Sequence, residues 1–512
     1  MLEKQDSTFT KHLNHFFAAI VKLGQLRKRM NQHMEGKYSP KLIAMTSTAI
    51  ATLLMIIMLF FPNYLGVADD GSVSDVMQSA GIYYMQTDVS DVYNNFFIKK
   101  YSNVLSDYAV MGNNMNSQVL LVKLSVFLDN LVTRDIFYDI RFLALIYGIF
   151  YVPAVYLLIK QACQRVKKFS EGIVISLSGI LIFSDVAYIS YFNSFYPEAI
   201  WFISLMYCVG AALSFQNQRS GYLDTGSIAV IVIAGIVLIT SRKQAACIGF
   251  LLSVFCLKLL FVRKEWKWGL ICSGAAFILS ITSISALVNL SSDFDQTSKF
   301  HAMTRGVLFE SNNPGETLSE FGISTSYEML TDVSAYDYLP LVTSTDESLT
   351  EDFLNKYTQV DVASYYVRHP GSFIRMLDVA IKSCFGIRRE YCGNYEKSVG
   401  LPKRARSIFW SSWSTFKNNS APKTIGYLVV LTGVLIMLFG RGYSIRSYEN
   451  RRNTVFLDMM MVVLFICLIE AGITIVNSGD AEMVQHCFLV SYGVDIITYF
   501  VFSELVHKIN IF

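Results

Sequence analysis

The chain has 512 residues, 53% of them hydrophobic and 16% charged, with a net charge of +3 and a mean hydropathy of +0.40. Soluble domains run about 45–50% apolar and about 25% charged, so this composition points away from a soluble multidomain protein. The small net charge gives no footprint for nucleic acid. The nine cysteines form no CxxC pair of the kind that announces a zinc site or a disulfide framework.

In chain order, residues 1–41 are polar and basic and fit no cleavable signal peptide. Phe9, Leu13, Phe16, Phe17, Ile20, Leu23 and Leu26 recur there at helical spacing beside Lys11, Lys22 and Arg27–Arg29. That pattern predicts an amphipathic helix lying on an anionic leaflet. A bilayer takes about 20 apolar residues per helix. Ten blocks meet or approach this: Leu42–Pro62, Phe142–Leu158, Gly172–Tyr188, Ala199–Phe215, Ser227–Thr240, Ala245–Val262, Gly269–Leu290, Ile425–Phe439, Val455–Val476 and Phe488–Val506. The fold class expected is an all-α membrane protein of about ten spans. It divides into a cytoplasmic segment 1–41, a module 42–290, a loop domain 291–424 and the last spans in 425–512.

Lys and Arg set the direction of the spans. The first segment is basic, and the even-numbered exits meet Arg165-Lys167-Lys168, Arg219, Arg263-Lys264-Lys267, Arg441-Arg446-Arg451-Arg452 and His507-Lys508. The loop from 63 to 139 holds nine acids against four bases. One topology satisfies every connection: a multi-pass plasma-membrane protein with both termini cytoplasmic and two large extracytoplasmic loops. Val119–Val132, too short to span, reads as a helix resting on the outer surface.

Charges at membrane depth mark candidate sites, and this topology puts four groups on the same side. Asp69-Asp70-Gly71-Ser72, with Asp75 following, supplies adjacent carboxylates. Such a pair can hold a divalent cation such as magnesium or manganese, or one acid can deprotonate a hydroxyl; a solvated turn is the plain alternative. Asp185 and the run Tyr191–Glu198, with Asn193, Tyr196 and Glu198, offer the hydroxyls, amides and aromatic faces that sugars need; the alternative is an aromatic belt with a helix-capping acid, which Asp185 does not fit. Arg242-Lys243-Gln244 sits at the tip of a short helical hairpin, where an anionic headgroup approached from the bilayer would explain two cations; snorkelling is the alternative. Asp480, Glu482 and His486 form the last group, His486 as a substrate contact or a residue supporting one; a satisfied structural histidine is the plain alternative. Arg368-His369, Arg375 and Arg388-Arg389 in the second loop carry only a weak signal for a diphosphate or an acidic acceptor, and Tyr391, Asn394, Tyr395 and Glu396 are equally ambiguous.

Five strings carry a resemblance: Asp69–Tyr84, Ser184–Glu198, Thr240–Gln244, Arg389–Gly400 with Trp410–Ser414 after it, and Gly479–Asp495. Together with the layout, they resemble the GT-C superfamily of membrane glycosyltransferases, in particular a bacterial branch that decorates wall and surface glycans. The resemblance implies an inverting transfer from a polyprenyl-phosphate-linked sugar to a surface glycan or lipid-linked acceptor. Asp69 would be the base or metal ligand, with Asp70 its rival or assistant. Arg242 and Lys243 would bind the donor phosphate, while Asp185, Asn193, Tyr196, Glu198, Gln244 and His486 would shape the sugar and acceptor sites. The chain departs from the family where Asp70-Gly71-Ser72 replaces Asn-Gly-Asp and Asp75 replaces Arg, which is why the acid falls on Asp69. The chain also has no GxGxxG or Walker-type loop, as suits a donor that is not a nucleotide. The rivals are a glycan polymerase or ligase acting on lipid diphosphates, a lipid-glycan flippase, and a non-catalytic surface receptor or assembly factor.

Overall fold

The computed structural model describes residues 22, 24–34, 36, 38–85, 89–103, 116–217, 220–290, 296–335, 347–389, 392–440, 443, 448–481 and 483–509. The amphipathic helix expected over residues 9–26 falls largely outside these, as do Glu482 and Tyr391. Residues 24–34 are helical, and Asn31 exchanges two 2.9 Å hydrogen bonds with Ser170.

The first span, α1 (Pro40–Phe60), starts where its sequence dictates. Ser39 caps it by accepting from the Leu42 amide at 3.2 Å, and Pro40 fills the first position, where its missing N–H costs nothing. The first long connection holds a short helix α2 (Ser74–Ser79), the strands β1 (Ile82–Tyr83) and β2 (Lys100–Asn103), helix α3 (Ser117–Val132) and strand β3 (Phe137–Asp139). The strands form an antiparallel sheet in the order β1-β2-β3, with Ile82 opposite Asn103 and Lys100 opposite Asp139. Nothing in the sequence reading anticipated this sheet, because strands of two to four residues leave no alternation to detect.

The helices α4 (Arg141–Ala162), α5 (Phe169–Phe183), α6 (Val186–Ile189), α7 (Glu198–Asn217), α8 (Gly221–Ile239), α9 (Ile248–Leu259) and α10 (Trp266–Asn289) complete the first module. After the second long connection come α11 (Ser412–Ser420), α12 (Ile425–Phe439), α13 (Tyr448–Ser478), α14 (Met483–His486) and α15 (Phe488–Ile509). Among the described residues, eight helices are long and apolar enough to cross a membrane, and ten if two bent pairs each count as one span. The chain is thus an all-α multi-pass membrane protein, and each of the ten apolar blocks falls on one of these helices. The bent pairs are α5–α6, broken by 41°, and α11–α12, by 117°.

Burial sorts the spans. The window that qualifies α7 is 94% buried, and that of α10 only 33%. So α7 is the axis of the bundle, while α10 shows Leu270, Phe277, Ile281 and Val288 to the surroundings, as a helix at the lipid-facing rim would. Both faces of the bundle are tied by charge. On the face away from the long connections, Asp224 is fully buried between Arg263 and Arg452, each at 2.6 Å. On the loop face, α11 is pinned to α15: Lys417 meets Asp495 at 2.7 Å, and the Trp413 indole donates to the same carboxylate at 2.8 Å.

Candidate functional site

The two long connections meet where α1 ends. Residues 66–68 lie extended against 392–394, with Gly66 N–H donating to Asn394 O at 3.2 Å and Ala68 N–H to Gly393 O at 3.0 Å. The Asn394 amide adds a 2.7 Å bond to Gly66 O. Gly393 is required here, because a Cβ would come within 2.2 Å of the Asn95 carbonyl oxygen. This seam fixes the Asp69-Asp70 turn on one side and delivers Arg389 to it on the other.

The two carboxylates then part. Asp69 accepts from the Gly71 amide at 2.7 Å and from the Tyr84 hydroxyl, which stands just beyond β1. Gly71 takes a left-handed conformation, φ +96, that a side chain would resist. Burial pushes the Asp69 carboxyl up from its ordinary value, against those two hydrogen bonds. Asp70 pairs with the Arg389 guanidinium and accepts from Tyr196 Oη and the Ser72 amide, both at 2.9 Å. Burial opposes its ionisation, but Arg389 and the Ser72 and Tyr196 hydrogen bonds hold the carboxyl well below the usual range. Tyr196 joins the group through the face of its ring, with the Arg389 guanidinium 4.6 Å from the ring centre.

Around this pair lie buried polar atoms without partners. They are Nε and Nη2 of Arg389, Oε2 of Glu198 and Nδ1 of His486. Glu198, at the start of α7, is within electrostatic reach of Arg389, Arg242 and Asp70. His486 feels Arg242, Arg389 and Asp70 as well, and burial together with the two arginines pushes its imidazole down to about 3. Buried polar groups are normally satisfied, so such a concentration marks a place prepared for a polar ligand or ordered water.

Arg242 and Lys243 open a pocket lined also by Ser72, Asp75, Gln118 and Pro197. Residues that follow the Asp69-Asp70 pair therefore share one pocket with the hairpin cations. The one acid at its wall is Asp75, beside Ser72, whereas Asp69 and Asp70, the expected acids, are not part of it and have largely buried carboxylates. Below it lies an apolar groove between α3, α4, α7 and α8, lined by Leu121, Tyr147, Ile200, Ser204, Ile233 and Val237 among others. Three elements run from pocket to groove within four residues: Val119 to Leu121, Pro197 to Ile200, and Ser241 to Val237.

Other expected site residues fall elsewhere. Asp185 is the helix cap that its sequence context seemed to exclude: it accepts from the Ala187 amide at 2.9 Å and from both the amide and hydroxyl of Ser414 at 2.9 and 2.8 Å. The break between α5 and α6 turns it inward onto α11, so its carboxylate is spent on structure. The Asn193 amide is likewise committed, donating to Leu59 O and Leu65 O at 3.3 and 2.7 Å and clamping the turn after α1. Gln244 is half-buried in the next turn and is not part of the pocket wall. Asp480 is held by Arg305 at 2.7 Å, and Arg375 by Glu310 at 2.6 Å. Arg388 donates to Ser407 O at 2.6 Å. Among the described residues no three His, Cys, Asp or Glu side chains gather as a metal ion would need. With Asp70 already neutralised by Arg389, the Asp69-Asp70 pair does not suit a divalent cation, and no step is assigned to one.

The residues that sequence reasoning undervalued are Arg389, Tyr84 and Gln118. Arg389 is placed by a contact 319 residues away, Tyr84 by one 15 residues away, and Gln118 through its neighbour Ser117, which bonds to Thr240 O. No curated protein matches the chain. A family model described as the YfdI N-terminal transmembrane domain matches residues 27–512. Spanning nearly the whole sequence, that match places the chain in the YfdI N-terminal transmembrane domain family.

Proposed function

We propose that this protein is an inverting membrane glycosyltransferase that moves one sugar from a polyprenyl-phosphate donor to an extracytoplasmic glycan or lipid-linked acceptor. The observation that carries the reading is that three elements contribute residues both to the apolar groove and to the cationic pocket. A polyprenyl chain suits the groove, and its phosphate suits Arg242 and Lys243, where a fork of N–H donors and a point charge meet the oxygens. The sugar then extends toward Glu198, His486 and Arg389, whose unpartnered atoms can accept from and donate to hydroxyls. The family's association with GT-C-like membrane glycosyltransferases agrees with this. The loop face is outward in this reading, as the Lys and Arg distribution favours.

In the transfer, an acceptor hydroxyl attacks the anomeric carbon from the side opposite the phosphate. The carbon–oxygen bond to phosphate breaks and its electron pair stays on the leaving oxygen, where the two cations meet the growing charge. The acceptor proton passes to Asp69, whose raised pKa makes it the stronger base of the two acids. Asp70 holds Arg389 in place. Reconstituted protein given radiolabelled polyprenyl-phosphate sugar and acceptor membranes should release polyprenyl phosphate and label the acceptor. No transfer by the wild type over a range of sugars, or full transfer by Asp69→Asn, would overturn the assignment.

A further inference from the structure

The pocket at Arg242 and Lys243 contains two features that a plain phosphate trap would not need. The first is Gln118, which begins α3. It is 3% exposed, it lines the pocket, and its Nε2 has no hydrogen-bond partner. Its neighbour Ser117 is tied to the end of α8, donating through its amide to Thr240 O at 3.1 Å and through its hydroxyl to Val237 O at 2.6 Å. A buried amide donor held without a partner beside two cations calls for an oxygen acceptor on a ligand. The second feature is Asp75, an exposed carboxylate at the start of α2 that faces into the same pocket. Asp75 thus sets a carboxylate on the wall that also carries Arg242 and Lys243, and so disfavours additional negative charge on a ligand there.

We infer that Gln118 and Asp75 make this pocket selective for a singly charged phosphodiester, with Gln118 donating to a phosphate oxygen and Asp75 repelling any second charge. This rests on the proposed donor class. A polyprenyl-phosphate sugar is such a diester, whereas a diphosphate-linked sugar carries one more charge. The same repulsion acts on the product. When the sugar–oxygen bond breaks with its electron pair left on phosphate, the diester becomes a monoester whose second ionisation falls at about pH 6. Asp75 therefore favours release of the spent lipid as well as exclusion of diphosphates.

Three probes separate these charges without knowledge of the sugar: methyl farnesyl phosphate, farnesyl phosphate and farnesyl diphosphate, bound to detergent-purified protein at pH 7.5. The wild type should bind the methyl diester most tightly. Asp75→Asn, at an exposed position, should strengthen the monoester and the diphosphate about fivefold, a modest gain because solvent screens Asp75, and change the diester less than about twofold. Gln118→Leu should weaken all three together. Equal or tighter wild-type binding of the diphosphate, or an Asp75→Asn shift that is the same for all three probes, overturns the selectivity and leaves the transferase reading standing. Absence of binding by every probe overturns both.

Discussion

Arg389 closes on Asp70 from 319 positions away along the chain, in a pair whose side chains are only 2% and 9% exposed. The contact joins the two long connections at the point where the unpartnered atoms of Glu198 and His486 converge.

Because the pair is largely buried, removing one partner strands the other. Arg389→Ala and Asp70→Ala are each expected to cost about 3–5 kcal/mol, read as a lowered unfolding midpoint in detergent. The double replacement Asp70→Leu with Arg389→Met should cost clearly less than the two single changes combined. Additive losses would show that the two charges do not depend on each other.

With Asp69 as the proposed base, the acid limb of the proposed transfer follows its carboxyl. Its carboxyl is raised above 3.8 by burial despite the Tyr84 and Gly71 hydrogen bonds, so turnover should fall on acidification with a midpoint above that value. Tyr84→Phe removes a bond that favours the ionised form and should move the midpoint higher still. A pH–rate profile checks both, and a midpoint unmoved by Tyr84→Phe would count against Asp69 as the base.

His486 links stability to pH with a definite sign. Its folded value of about 3 lies below the ordinary 6.5, through burial first and then Arg242 and Arg389. Between those values the unfolded chain binds more protons, so stability should be full above pH 6.5 and decline as pH falls toward 3. His486→Gln should flatten that slope in thermal unfolding measured across the window. An unchanged slope would place the titration on another group.

Arg242→Ala and Lys243→Ala should each raise the KM for a lipid-phosphate donor by about 10–100-fold, the worth of a charged hydrogen bond, with thermal stability little affected. Both side chains are half-buried at the pocket mouth. A loss in kcat alone would assign them to the leaving group and not to donor binding.

The spans were legible because twenty-residue apolar blocks and flanking bases leave a strong one-dimensional signal. The hairpin cations were legible for the same reason, standing where a short connection should be neutral. What was hidden depends on distant partners. Asp185 read as a site because a carboxylate inside an apolar block is conspicuous, yet Ser414, 229 residues later, satisfies it. Arg389 read as one scattered base among several, and only the seam between residues 66–68 and 392–394 brings it to Asp70. Gln118 carries no charge to draw notice, and its meaning lies in a missing partner.

The most direct measurement is photo-crosslinking with a polyprenyl-phosphate analogue that carries one diazirine on the lipid chain and one beside the phosphate. Chain adducts are expected on the groove wall, among Ile200, Ile233 and Val237, and headgroup adducts around Ser72, Gln118 and Lys243. Adducts on the opposite face, around Lys258 and Arg451, or chain and headgroup adducts on unconnected surfaces, would contradict the proposed site.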